Sequence, residues 1–103
     1  MTEPSPGQVL REKLNQETAP IRWSELQPFF ARGQVVAVAA HLDLIDVAAA
    51  FAEDQAAQIA AWRHSGEVDL VQDEQARDWF AADQELWTLV VKPWVLVQPI
   101  PLH

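Results

Sequence analysis

Apolar residues recur along this chain with two periods, and the switches between them mark its elements. From Gln8 onward Val9, Leu10 and Leu14 share one helical face, while Arg11, Glu12, Lys13 and Gln16 lie elsewhere; this spacing predicts a helix over 8–18. Pro20 disfavours the helical conformation at Ala19 and ends that helix near Thr18. A second helix is expected over 24–32. Ser24 and Gln27 match a capping box, Trp23 stands where a hydrophobic staple sits, and Pro28 falls in or just past the first turn. Gly33 supplies the stop. Val35-Val36-Ala37-Val38 is apolar on both faces and reads as a buried strand within 34–39.

The longest predicted helix runs over 43–64, with Asp43 as its cap, Asp46 three residues on, and Leu42 placed to staple against Val47. At about 100° per residue, Leu44, Val47, Phe51, Ile59 and Trp62 fall on one side, and Gly66 closes the helix. The other side is rich in alanine, at 49, 50, 57, 60 and 61. It is either solvent-exposed filler or a smooth surface that another helix can approach. Gln55 interrupts the apolar face, and burial there would oblige it to find hydrogen-bond partners. Val68–Val71 reads as a short extended piece, and Asp73 caps a helix over 73–84.

Leu86 to Val97 is the strongest β signal. A two-residue hairpin at Lys92-Pro93 conflicts with the positive φ of the favoured turns, which proline forbids. Either the loop is wider or one long strand bends at Pro93, at an edge or bulge. With a wide loop that still pairs Val91 with Trp94, one face carries Trp87, Leu89, Val91, Trp94 and Leu96. The other carries Val90, Val95 and Val97. The expected fold is α+β or small α/β: a three- to four-stranded sheet from about 34–39, 86–91 and 94–98, with 68–71 able to join, and about four helices against it.

Composition narrows the classes. Half of the 103 residues are hydrophobic, enough for a packed core. Residues 1–7, with two prolines and a glycine, read as a frayed leader before a single domain over 8–103. Seven Lys plus Arg against fifteen Asp plus Glu leave a net charge of −8, which argues against nucleic acid as a partner. The absence of cysteine suits a reducing cytosol and excludes disulfides and thiolate metal sites. The first residues lack signal-peptide character, and the Leu86–Val97 run, interrupted by Lys92 and Pro93, is shorter than the roughly 18 residues a membrane helix needs. A cytoplasmic protein is expected.

Several segments together resemble a known family. They are Lys13-Leu14, Glu17-Thr18-Ala19, Ile21-x-Trp23-x-Glu25-Leu26 and Phe29-Phe30-Ala31-x-Gly33, then Asp43-Leu44-Ile45-x-Val47-Ala48 and Ala52-Glu53-Asp54. Asp73-Glu74-Gln75-Ala76 and Val91-Lys92-Pro93-Trp94-Val95-Leu96-Val97-Gln98 complete the set. The stretch from about Leu10 to Gln98 is similar to the bacterial domain-of-unknown-function family 2288. That resemblance implies a compact stand-alone bacterial protein and brings no cofactor or catalytic residue with it.

Candidate chemistry is sparse. His41 and Asp43 offer two metal ligands at a strand-to-helix junction, but a catalytic zinc site uses three and no third stands at a diagnostic spacing. Glu53 and Asp54 point about 100° apart on a helix, and Asp46 and Glu53 lie about 10.5 Å apart along its axis. His64 suits the negative end of its helix, and His103 is terminal. Ser24 is taken up as a cap, Ser65 abuts Gly66, and the glycines at 7, 33 and 66 are too dispersed for a phosphate loop. No catalytic residue, metal or cofactor is assigned. Five tryptophans and no tyrosine are the unusual feature; Trp62 and Trp79 lie at core spacing, whereas Trp87 and Trp94 are open to an interface role.

Three helices and a short first one shield one face of a small sheet more easily than two. The surplus β surface leads to the expectation of a non-catalytic, homo-oligomeric interaction or regulatory module, a homodimer with Trp87, Leu89, Val91, Trp94 and Leu96 at its interface. The alternative is a small-molecule or metal-binding protein or weak enzyme, with an acidic pocket near Glu17, Trp23, His41 and Asp43.

Overall fold

Helix α1 (Pro6–Glu17) starts two residues ahead of the expected Gln8, for a local reason. The Ser5 hydroxyl accepts the Gln8 N–H at 3.2 Å while Gln8 Oε1 accepts the Ser5 N–H at 2.9 Å. Pro6 takes the first helical position, where its missing N–H costs nothing. The computed structural model describes residue 3 and residues 5–100; the rest of the expected leader and His103 lie outside the described residues. The chain turns extended at Thr18 and enters β1 (Ala19–Arg22), a short strand that no alternation had announced.

Helix α2 (Trp23–Ala31) corrects the expected start at Ser24. Arg22 holds the cap position without a side-chain bond, and Ser24 is the second helical residue. Trp23 sets the boundary instead: its N–H reaches the Gln84 carbonyl at 2.8 Å, and its indole, 1% exposed, packs against Phe30 and Trp79. Gly33, at φ +69°, closes the helix with bonds from its own N–H to Phe30 and from Gln34 N–H to Phe29.

The expected helix over 43–64 is two helices, α3 (Leu44–Ala52) and α4 (Ala56–Ser65). Between them Asp54 adopts φ +56°, with Asp54 N–H bonded to Phe51 and Gln55 N–H to Ala50, the same closure as at Gly33. Gln55 is therefore an exposed residue of the break, not a buried polar group in a helix face. Ala49 and Ala50 are buried, and Ala49 shares a core cluster with Leu14 of α1, whereas Ala57, Ala60 and Ala61 remain exposed. After β3 (Val68–Leu70), helix α5 (Asp73–Ala82) has Gln72 at its cap; Asp73 is its first residue and acts on the helix dipole rather than as the cap.

Strands β4 (Glu85–Val91) and β5 (Trp94–Pro99) form the hairpin that the turn argument disfavoured. Val91 does pair with Trp94, but across a two-residue loop, and the Lys92–Pro93 peptide is cis, so the turn is not of the primed kind. The sheet has five strands in the order β1-β4-β5-β2 (Val35–Val38)-β3, with β2 and β5 parallel and the other neighbours antiparallel. The α+β class holds, with five strands where three to four were expected and five helices where about four were. Pro20 of edge strand β1 faces Trp87. The bond from Ile100 N–H to the Glu85 carbonyl sets the ladder parity and makes that pair a non-bonded one, where proline loses nothing.

Helices of this chain cover most of both sheet faces, leaving Trp87 and Val90 of β4 exposed. Helices α1, α3 and α4 lie over Val36, Val38, Leu89 and Leu96, and α2 and α5 lie over Val35, Leu86, Val95 and Val97. The sequence argument took two faces to be harder to shield than one; here three helices lie on one face and two on the other. Among the described residues no helix is long and apolar enough to cross a membrane.

Candidate functional site

The break at Asp54 decides how α4 meets the sheet. The helix buries none of its residues fully; Trp62 packs on the core beside the sheet while Ile59 stays half-buried. Below it opens a cleft of 490 Å³, at the end of the sheet that carries the β4–β5 turn. Ala56, Ile59, Ala60 and Arg63, spaced along one helical face, form its roof; Phe51 and Asp54 close one side. Its floor is Val36, Val68, Leu70, Val91 and Trp94, with Lys92 and Pro93 from the turn at the rim. Hydrophobic side chains and two small alanines make most of this surface, and the ionisable groups are confined to Asp54, Arg63, Asp69 and Lys92.

Two of those charges are already engaged. Asp69 Oδ1 lies 3.5 Å from Arg63 Nη2 and accepts the Leu70 N–H at 2.9 Å. Lys92 and Asp54 make no ion pair among the described residues. Sequence reasoning missed this site. Ile59, Phe51 and Trp94 were read as core or interface, and Lys92 only as part of a turn; the signal that could have found it was Gln55, whose misfit in the apolar face marks the helix break.

The residues singled out from sequence are scattered. Leu89 and Leu96 are 0% exposed beneath α1 and α3, so they belong to the core of the subunit and not to its surface. Val91 and Trp94 are half-buried against the same cluster, and both line the cleft. Trp87 is 38% exposed. It borders a smaller recess of 310 Å³ with Asn15, Asp43 and Gln98. The acidic pocket is not assembled: Trp23 is buried on the opposite sheet face from Asp43, and Glu17 and His41 line no described cleft.

His41 and Asp43 have structural work. Asp43 Oδ1 caps α3 through the Ile45 N–H at 2.8 Å, and Asp46 pairs with Arg11 of α1. His41 Nε2 lies 2.6 Å from Glu67 Oε2, while the Ser65 hydroxyl donates to Glu67 Oε1 at 2.7 Å. A catalytic triad places the imidazole between hydroxyl and carboxylate so that it can take the proton. Here the carboxylate is in the middle, and the group is a clasp between the loop before α3 and the turn that leaves α4. The Ser65 hydroxyl and then His41 hold the Glu67 carboxyl below its ordinary range. Gln98 secures the same loop from the sheet, donating from Nε2 to the Ala39 and Leu42 carbonyls at 2.8 Å each. Among the described residues no three His, Cys, Asp or Glu side chains converge as metal ligands.

Comparison with known proteins places this architecture. The NMR solution structure of PA1075 from Pseudomonas aeruginosa is similar to it at 45% identity, with a TM-score of 0.78, over 100% of this chain and 97% of that one. No curated protein matches the chain. The family model described as "Protein of unknown function (DUF2288)" matches residues 9–99, and the chain belongs to that family.

Proposed function

We propose that the protein is a non-catalytic binding module whose working surface is the cleft beneath α4, and that it admits a small, mainly apolar guest in the cytoplasm. One observation carries this reading: a 490 Å³ space walled by apolar side chains of α3, α4 and the sheet, where a straight 43–64 helix would have had no bend to open it. Sites for small molecules commonly span about 300–1,000 Å³ and combine apolar walls with a few polar groups. The test is titration with an uncharged fluorescent probe such as N-phenyl-1-naphthylamine. Saturable one-to-one binding is expected, and Ala60→Phe, which fills the cleft from an exposed position, is expected to abolish it. That substitution should move stability by no more than about 0.5 kcal/mol. Absence of saturable binding, or equal binding by the variant, refutes the reading.

Self-association as a regulatory homodimer is the second reading, and a different surface favours it. Val90 is 49% exposed at the part of β4 that extends past β1, and the ladder parity turns its own N–H and C=O outward from β5. A second copy of this strand is the occupant that such an edge accepts. Sedimentation velocity checks it: a dimer lost on Val90→Lys supports the reading, and a monomer at millimolar protein refutes it.

A further inference from the structure

We infer that the guest of the cleft is an amphiphile with one anionic head: a carboxylate on a short acyl chain or aromatic ring, seated with its head at Lys92. This rests on the binding-module reading above and adds the charge of the ligand. Lys92 stands exposed on the two-residue turn at the rim, and no carboxylate lies within ion-pair reach of it among the described residues. A compact ammonium kept in water suffers no burial penalty while it waits for a counter-ion. Asp69 pairs with Arg63 and not with the lysine: its Oδ1 lies 3.5 Å from Arg63 Nη2 and accepts the Leu70 N–H.

The setting strengthens the assignment. The chain carries fifteen acids against seven Lys and Arg, so most of its surface repels an anion. The cleft rim carries two of each, with one acid engaged by one cation. Asp54, on the α3–α4 side, is the lining acid without an ion-pair partner among the described residues, and it opposes an anionic head. Phe51, Ile59 and Trp94 offer the apolar body a surface continuous with that rim.

Octanoate, 1-octanol and octylammonium share one body and differ in head charge. Each is titrated into the full chain below its micellar range and followed by amide chemical shifts at the cleft. Octanoate is expected to bind about fivefold more tightly than octanol, the upper end for a solvent-exposed pair. Lys92→Gln is expected to erase that preference, read as the octanoate-to-octanol affinity ratio within the variant itself. Asp54→Asn is expected to tighten octanoate roughly twofold. Equal affinity for octanoate and octanol, or a preference that survives Lys92→Gln, overturns the anionic assignment while leaving the binding module standing. Octylammonium binding tightest overturns it in favour of Asp54. If none of the three shifts the cleft amides, both readings fall.

Discussion

Whether Leu89 and Leu96 form a core or a subunit interface is settled by truncating Leu96 to alanine. The two leucines face each other across β4 and β5, both 0% exposed, under Leu14, Val47 and Ala48. Removing three carbons from a site closed on every side costs transfer energy plus the cavity left behind, about 3–4 kcal/mol. For a domain of this size each kcal/mol lowers the melting midpoint by about 4–8 °C, so Leu96→Ala should melt roughly 12–30 °C below the parent. Val90→Ala is the internal control: its side chain is 49% exposed, and its cost should stay under about 1 kcal/mol. Urea melts at two protein concentrations twentyfold apart separate the cases. A core leucine gives a difference between variant and parent that is the same at both concentrations; an interface leucine gives one that changes with concentration. A cost for Leu96→Ala below about 1 kcal/mol, or a cost that changes with concentration, would refute the enclosed-sheet argument.

Three smaller perturbations test the local claims. Asp43→Ala removes the only side-chain cap of α3 and should cost about 1 kcal/mol in a urea melt. Gln98→Ala frees the Ala39 and Leu42 carbonyls at once, and amide exchange should accelerate over 39–43, with a loss of about 1–3 kcal/mol. Glu67 should titrate below the usual glutamate value in a carboxyl NMR titration, and Ser65→Ala should raise it more than His41→Gln, because the serine bond is the larger cause. Its folded value is depressed, so the stabilisation from this clasp is present above the ordinary value of 4.5 and fades as pH falls through the folded value. A Glu67 that titrates normally would dissolve the clasp.

Elements with strong periodicity and clean punctuation were legible in the sequence. Val35–Val38, Asp43 as a cap, and Gly33 and Gly66 as stops all stand where the residue types placed them. What escaped depends on partners distant in sequence. Strand β1 has four residues, one a proline, and only its pairing with Glu85–Thr88 makes it a strand. Trp23 enters α2 because Phe30 and Trp79 surround it, which overrides the serine one residue later. The two-residue turn at Lys92-Pro93 was disfavoured by an argument that covers only the primed turns, whereas Val91 and Trp94 pair across it. The choice of sheet face for each helix, which decides whether the β surface is in excess, is a topological fact that single-element patterns do not carry.

The break at Asp54 joins these threads, because one misread residue produced both the wrong helix and the missed site. Ala52-Glu53-Asp54-Gln55 contains neither glycine nor proline, so propensity favours continuing the helix through it. Continuation would have kept Phe51, Gln55, Ile59 and Trp62 on a single face and brought Gln55 onto an apolar floor of Val36, Leu70 and Trp94. An amide buried there without partners costs about 1–3 kcal/mol. A left-handed conformation at an L-residue costs about 1–2 kcal/mol, and aspartate is among the residues that tolerate it best. These magnitudes favour the break or leave it neutral, and the closing bonds to Ala50 and Phe51 tip the balance. Once the helix bends, Gln55 reaches water, α4 presents Ala56 and Ala60 to the sheet in place of larger side chains, and the space they leave is the cleft.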